Sequence, residues 1–380
     1  MRMQINTKSP VHIGSGSYYT LMDSYMDGNE LHRVNLDKLF EGDVELLKKY
    51  TKELDRKNLS AIMEILKRGK DRYSAKLKEG VYIKRLEDRI MECIKDSAGD
   101  IPYIPGSSLK GFLRTALMVK YLKDNGWYFE ISVDGEIREY NLWEAMQRGI
   151  HEIGIRKLGD DYEDRRRDRI GSRFEKLVVY TGNVRRNKFR YDAKYDVFKY
   201  ILVGDFYPES YDIWIDKAIV ETRGRRGSYT LLEVVEGKFI GKISLSPQVK
   251  SSLGSREYPV LPQKLELLGL REDDLSDIEG AEKKMIAHIK EALDEYVGDI
   301  KNFEKSQGKV LAVDGANARI GFGTGSPYKT LWIYMRNNIP REILQRILSA
   351  ASRHRANIFS YPKSRHVLSD GSSLGWIKLD

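Results

Sequence analysis

The hydrophobic positions of the first hundred residues predict a short strand followed by helices. Residues 2–8 alternate between polar and apolar side chains, as strands do, and a proline with a glycine loop ends the alternation. Further along, apolar residues recur at spacings of three and four positions: Leu46, Leu47, Tyr50, Leu54, Leu59, Ile62, Met63, Ile65 and Leu66, and again Ile83, Leu86, Ile90 and Ile94. This periodicity predicts a helical insertion over about residues 41–98.

The segment GSSLKGFLRTAL, residues 106–117, has the pattern of a further helix. Its apolar positions form one stripe, made of Leu109, Phe112, Leu113, Ala116 and Leu117. Serine oxygens cap helix N-termini well, so we expect Ser107 or Ser108 to cap this helix. Lys110 and Arg114 are one turn apart and lie opposite the stripe, so we expect both cations to be exposed.

The remainder of the chain mixes strand and helix patterns. The predicted elements are strands near residues 200–205 and 211–215, an alternating region over 229–246, a long helix over about 277–304, a strand over 330–335 and a helix that begins at Pro340. A charged stretch at residues 160–173 predicts an exposed loop or helix surface. Because strands and helices are intermixed without a regular βα repeat, the pattern favours the α+β class with antiparallel sheets.

Length and charge add a domain count and a class of partner. The 380 residues exceed twice the roughly 150 of a typical domain, which predicts two or three domains. The run ETRGRRG at residues 221–227 separates two strand patterns, so we predict two domains, 1–227 and 228–380. Lysine and arginine number 65 against 56 acidic residues, and this net charge of +9 favours a polyanion such as nucleic acid.

The chain lacks the sequence signals of a metal site or a membrane span. Cys93 is the only cysteine, which excludes an intramolecular disulfide and a cysteine-based zinc site. None of the six histidines is paired with another at a ligand spacing. No apolar run reaches the ~18 residues needed to cross a bilayer. We therefore expect a cytoplasmic protein that binds no metal and contacts no membrane.

Residues 105–114 combine three features that suit a phosphate site. Gly106 allows close approach of the backbone, the helix start offers free N–H groups, and Lys110 and Arg114 supply positive charge. The alternative is an ordinary capped helix with exposed charges.

A second phosphate-site candidate is the segment ARIGFGTG, residues 318–325. Its glycines, at 321, 323 and 325, could expose successive N–H groups, and Arg319 could bind a phosphate through two hydrogen bonds. The glycine spacing differs from that of nucleotide-binding loops, which argues against an NTPase or a dinucleotide fold. The alternative is a hairpin turn that needs positive φ angles.

Three motifs taken together resemble the signatures of the RAMP superfamily of CRISPR proteins. They are PVHIGSG at residues 10–16, YIPGSSLKGFLR at 103–114 and ARIGFGTG at 318–325, in the same order and spacing. The resemblance implies two ferredoxin-like, RRM-related domains, the first with the helical insertion. It also implies RNA binding through the loops, by Gly106, Ser107, Ser108, Lys110, Arg114, Arg319, Gly321, Gly323 and Gly325.

Within this superfamily the chain is most similar to subunits that cap the crRNA 3′ end in type III-A Csm complexes. That similarity implies crRNA, other Csm-complex subunits and possibly target RNA as partners, with no cofactor. The backbone subunits of such complexes, by the same resemblance, cut target RNA with an aspartate shortly after the first-strand loop. Asp23 lies there without the surrounding pattern, so we expect a subunit without catalytic activity.

Two alternatives stay open from the sequence. The first is a metal-independent RAMP endoribonuclease that processes precursor crRNA, with His12 as the general base that activates a ribose 2′-OH. The second is a general single-stranded RNA-binding protein with no CRISPR connection.

Overall fold

The fold was taken from a computed structural model, which describes residues 1–157, 172–186, 188–222, 225–351, 362 and 364–380. Residues 160–171 of the charged stretch lie outside the described residues. The strands are β1 (Arg2–Thr7), β2 (Gly14–Tyr19), β3 (Ser24–Asp27), β4 (Glu30–Val34), β5 (Asp71–Leu77), β6 (Ile90–Cys93), β7 (Tyr128–Val133), β8 (Glu136–Asn141), β9 (Asn183–Val184), β10 (Ile201–Val203), β11 (Tyr207–Thr222), β12 (Arg225–Leu245), β13 (Ala318–Arg319), β14 (Ser364–Val367) and β15 (Trp376–Leu379).

The helices complete a mixed α/β architecture. They are α1 (Leu36–Phe40), α2 (Val44–Asp55), α3 (Leu59–Leu66), α4 (Gly106–Asp124), α5 (Leu142–Arg148), α6 (Ser172–Val178), α7 (Gln248–Ser252), α8 (Leu261–Lys264), α9 (Ile278–Ser306), α10 (Trp332–Asn338) and α11 (Arg341–Ala351). Within the described ranges, none of them combines the length and the apolar character of a membrane-spanning helix.

Strand β12 is the centre of the larger sheet, whose main strand order is β13-β15-β1-β12-β11-β5-β4-β3. It pairs antiparallel with β1, β10 and β11, and parallel with β6. Five consecutive residues of β12, from 231 to 235, are all buried. Both faces of the strand are therefore covered, which explains why its apolar run shows little alternation there. A smaller sheet has the order β8-β7-β9.

Helices α4 and α9 pack together in the main core. The Phe112 ring on α4 lies 5.6 Å from the Tyr296 ring on α9, measured between centroids. All five residues of the predicted apolar stripe of α4 are buried, which confirms that face assignment. The long helix predicted over 277–304 is confirmed as α9, and Asp277 caps it by accepting a hydrogen bond from the Glu279 N–H.

The predicted helical insertion is confirmed only in its first half. Helices α2 and α3 are present, but residues 71–77 form β5, and residues 90–93 form β6 instead of a helix. The Asp88 carboxylate accepts the backbone N–H groups of Lys84 and Arg85, so these two donors serve a turn. Ile90 is buried and paired with β12. Pairing with the central strand therefore overrides the helical spacing.

The strand predicted over residues 330–335 is wrong, because this segment begins helix α10. Four successive apolar residues from Trp332 to Met335 are all buried, and a helix enclosed on every side shows no alternation in sequence. The helix predicted to begin at Pro340 is confirmed as α11.

The predicted domain boundary falls inside a hairpin of the larger sheet. Strands β11 and β12 pair along most of their lengths, with Thr222 opposite Arg225 at the turn. Residue 227 is thus the third residue of β12. The mixed α/β architecture with mainly antiparallel sheets is confirmed, and the division into two domains stays a prediction.

Candidate nucleic-acid interface

The three motifs, which span some 310 residues of sequence, meet at one cleft of about 390 Å³. The first motif contributes the segment from His12 to Gly14, the second contributes Ser108 and Gly111 of α4, and the third contributes residues 319–322. Phe112 of α4, Met91 of β6 and Lys329 complete the lining. The cleft is therefore built by loops and one helix at the edge of the larger sheet.

A backbone contact joins the first motif to the third. The Phe322 N–H donates a hydrogen bond of 2.8 Å to the His12 carbonyl oxygen. Gly321 has a φ of +80°, and a Cβ at this position would lie 2.3 Å from the same oxygen. Glycine is therefore required at 321, both because of its positive φ and because the backbone segments at residues 12 and 321 lie so close together. Gly323 and Gly325 also have positive φ angles, as the hairpin alternative expects.

The first backbone N–H group of α4 is hydrogen-bonded to a carboxylate of the same chain. The Gly106 N–H donates to Asp205 Oδ1 at 2.8 Å, and a Cβ on Gly106 would lie 2.2 Å from the Val203 carbonyl oxygen. Gly106 was expected to let a phosphate approach the backbone closely. Here it is the backbone at the end of β10 that lies close to Gly106. The predicted serine cap is wrong: Pro105 is the N-cap, with no side-chain hydrogen bond, and Ser107 and Ser108 lie within the helix.

The prediction that Lys110 and Arg114 are exposed is also wrong. Lys110 Nζ donates to the Ile201 carbonyl oxygen at 2.6 Å, and burial lowers the pKa of this lysine. Arg114 donates to the Asp196 carboxylate and lies over the Phe198 ring. Burial opposes the charge on Arg114, but Asp196 more than offsets it and raises the pKa of the guanidinium. Both cations face the polypeptide beside α4.

Arg319 is buried, with only 1% of the residue exposed. Its Nε donates to the Leu374 carbonyl oxygen at 3.0 Å, and its guanidinium lies between the Tyr328 and Trp376 rings. Glu304 is within ion-pair distance, at 3.9 Å. Arg319 therefore packs inside the protein, next to the glycine segment 321–325. Its guanidinium does not reach the surface.

The buried carboxylate of Glu233, on β12, organises the floor beneath the first motif. It accepts hydrogen bonds from the Tyr19 and Tyr73 hydroxyls, the Cys93 N–H and the Lys95 ammonium group. Burial and the nearby Glu233 charge raise the pKa of Tyr19 and keep its hydroxyl protonated as a donor. Sequence reasoning missed this network, because a single glutamate within an apolar strand carries no spacing signal.

His12 is fully buried and belongs to this floor. Its Nδ1 lies 2.7 Å from the Glu233 carbonyl oxygen, so Nδ1 carries the hydrogen and donates it. Burial lowers the pKa of the imidazole, which therefore stays neutral at pH 7. The ring also packs edge-on against Phe322, with centroids 5.8 Å apart. These contacts give His12 a structural role in the cleft wall.

Asp23 likewise serves the local structure. Its carboxylate accepts the Thr20 N–H at 3.0 Å and forms an ion pair with Arg33 at 2.8 Å. In the described part of the chain, no group of three or more histidine, cysteine, aspartate or glutamate side chains could hold a metal ion.

The surface of the cleft differs from the one the sequence predicts. Ser108, Gly111 and Gly321 face it, whereas Gly323 and Gly325 lie outside the lining and Lys110 and Arg114 lie on another side of α4. The exposed cation that sequence reasoning missed is Lys329, whose Nζ donates to the Gly321 carbonyl oxygen at 3.2 Å. Its position eight residues after Gly321 gave no signal, because the turn between them decides where the side chain points.

The chain belongs to the RAMP superfamily, which its residues 4–324 match. Its fold is similar to that of a chain in the cryo-EM structure of the Csm–crRNA–target RNA ternary complex of a type III-A CRISPR-Cas system. That pair has a TM-score of 0.70 and 20% sequence identity, and the match covers 100% of both chains. The chain is also similar to the crystal structure of T. onnurineus Csm5, with a TM-score of 0.59, 20% identity and 99% of both chains covered. No curated protein sequence matches.

Because Arg114 is paired with a buried carboxylate, we expect its removal to destabilise the protein, whereas removal of an exposed cation would leave the stability nearly unchanged. Arg114→Ala leaves the buried Asp196 carboxylate without its cationic partner, so we expect the free energy of unfolding to fall by about 1–3 kcal/mol. Lys283→Ala is the control, because Lys283 pairs with Glu279 on the exposed side of α9 and such pairs contribute less than about 1 kcal/mol. Urea denaturation measures both variants. Equal stability of Arg114→Ala and the unchanged protein would contradict the buried pairing.

Proposed function

We propose that this chain is a crRNA-binding structural subunit of a type III-A CRISPR interference complex, and that it caps the crRNA 3′ end. In this role it supports crRNA maturation and antiviral defence in the cytoplasm. Its partners are crRNA, target RNA and the other Csm-complex subunits. The fold is interpreted as two ferredoxin-like domains divided near residue 227, the first of which carries the insertion.

The observation that carries this proposal is the meeting of three distant motifs at one cleft. Residues of the segments 10–16 and 318–325 and of the start of α4 line the same open surface. Support also comes from the similarity in fold, over the full length, to a chain of a Csm–crRNA–target RNA complex and to Csm5. Chains that share a fold can differ in function, so the cleft itself has to be tested.

The cleft is suited to a sugar-phosphate backbone more than to a base. Gly111 and Gly321 leave two points of its lining without a side chain, so a strand can approach the main chain closely there. Lys329 is an exposed residue in the cleft lining, and Ser108 offers a hydroxyl. Contacts of this kind bind phosphates and riboses without reading sequence. Arg319, Lys110 and Arg114 then act indirectly, by holding the loops and α4 in place.

The geometry gives the processing ribonuclease less support than the structural subunit. A general base must come within hydrogen-bond reach of the hydroxyl that it deprotonates. His12 is fully buried, with its Nδ1 committed to the Glu233 carbonyl oxygen and its ring behind Phe322. Because His12 has no exposed surface, a ribose hydroxyl in the cleft does not come within reach of the imidazole.

Membership of the complex is tested by purification of the tagged chain from its native host. We expect a short, uniform RNA and other Csm-type subunits to co-purify, because a capping subunit is held by both. The bound RNA is sequenced and the proteins are identified by mass spectrometry. Recovery of the chain alone, or with mixed cellular RNA and no sister subunit, would instead support a general RNA-binding protein.

The position of the RNA is tested by adding one negative charge to the cleft. Ser108→Glu places a carboxylate among the proposed phosphate contacts, at a cost of about 1 kcal/mol or more, so we expect at least a fivefold loss of affinity for single-stranded RNA. Fluorescence anisotropy measures the Kd across a salt series. For the unchanged protein, log K should fall with log salt at a slope of about −0.7 per phosphate contacted.

Ser107→Glu is the matched control for this experiment. The two serines are neighbours at the start of α4, where a carboxylate is equally compatible with the helix dipole, but Ser107 is exposed away from the cleft. We expect Ser107→Glu to bind RNA more tightly than Ser108→Glu, at similar thermal stability. Equal losses in both variants would show that the charge acts from a distance and that RNA does not enter the cleft.

A further inference from the structure

Strand β2 contains an exposed tyrosine that the fold does not use. Its sequence, GSGSYY, ends in two tyrosines on opposite faces of the strand. Tyr19 is 2% exposed and donates to Glu233, whereas Tyr18 is 51% exposed. Gly16 and the serines at 15 and 17 are exposed beside it. A large aromatic side chain on an otherwise small and polar strand adds little to core packing.

An exposed arginine covers one side of the Tyr18 ring. The guanidinium carbon of Arg89 lies 4.3 Å from the ring centroid, which is a cation–π arrangement. Arg89 immediately precedes β6 and is itself exposed. Among the described residues, no carboxylate lies within ion-pair distance of Arg89, so its charge is not neutralised by an acidic neighbour. The ring thus has a planar cation on one side, and about half of the residue stays exposed.

The Tyr18 ring lies beside the proposed RNA cleft. Tyr18 is paired directly with Met91 across β2 and β6, and the side chains of such partners are on the same face of a sheet. Met91 lines the cleft and packs in the same cluster as Phe322. The distance between paired strands is only about 4.8 Å. The surface therefore runs from the glycine loop through Phe322 and Met91 to Tyr18.

We propose that Tyr18 and Arg89 form a stacking site for one unpaired base of the RNA whose backbone occupies the cleft. This inference rests on the proposed function and adds a base contact to a site described so far by phosphate contacts. Aromatic side chains stack on any base, so the site adds affinity without sequence preference. The arginine charge next to the ring suits a polyanion.

A protein partner fits this surface less well. Tyrosine and arginine are also frequent in protein interfaces, but there they lie inside a patch of packed neighbours that exclude water. The residues that precede Tyr18 on its own strand are glycine and serine, and all of them are exposed. Charge and continuity with the cleft both favour RNA.

The test compares single-stranded RNA with an abasic oligonucleotide of the same length, both titrated onto the full chain by fluorescence anisotropy. We expect Tyr18→Ala to weaken binding of the RNA about 5- to 150-fold, which is the range for loss of one aromatic stack. Binding of the abasic strand should not change, because it has phosphates and no base to stack. Tyr18→Phe keeps the ring and should retain the affinity of the unchanged protein.

Tyr128→Ala is the matched control, since Tyr128 is 46% exposed but lies on β7 of the smaller sheet. It should bind both strands as the unchanged protein does, and thermal melting should show that both alanine variants stay folded.

Equal RNA affinity of Tyr18→Ala and the unchanged protein would overturn the stacking site and leave the proposed function intact. Failure of the unchanged protein to bind either strand would instead overturn the proposed function. If Tyr18→Ala lost only its association with sister subunits, Tyr18 would be a protein contact, and the stacking proposal would be wrong.

Discussion

The cleft depends on one close contact between backbones that are some 310 residues apart in sequence. The His12 carbonyl oxygen accepts the Phe322 N–H, and the Gly321 backbone passes so near that no Cβ could fit. His12 is fixed in turn by its imidazole, which donates to the Glu233 carbonyl oxygen on the central strand. Through these contacts the two ends of the RAMP match are anchored to β12, and the start of α4 closes the third side.

The cations in the motifs support this arrangement from inside the protein. Arg319 is enclosed by two aromatic rings and a carboxylate, Arg114 by Asp196, and Lys110 by a carbonyl oxygen. Burying a charge costs free energy unless the charge is paired, so each of these residues stabilises one geometry of its loop or helix. Gly111, Gly321 and Lys329 line the cleft on this support.

The sequence was a good guide to elements with long, strong periodicity. The α4 stripe, α9 and the first strand follow from spacing alone, and the three motifs point to the residues that meet at the cleft. The prediction failed where tertiary contacts decide between alternatives. Ile90 has helical spacing but pairs with β12, and the apolar run at Trp332 is a buried helix that looks like a strand.

The direction of charged side chains was the least predictable feature. The pattern of α4 places Lys110 and Arg114 opposite its apolar stripe, and only the structure shows that β10 and Asp196 cover that side. Tyr18 and Lys329 lie outside any recognisable spacing, because strand pairing places Tyr18 beside Met91 and one turn brings Lys329 to the cleft.

The proposed function requires RNA to lie in the cleft formed by the three motifs. Photo-crosslinking of the purified chain to single-stranded RNA, followed by mass spectrometry of the adducts, tests it most directly. We expect crosslinks concentrated in peptides that contain Tyr18, the start of α4 and Phe322. Crosslinks confined to the smaller sheet or to the tip of the β11–β12 hairpin, with none in those three peptides, would contradict it.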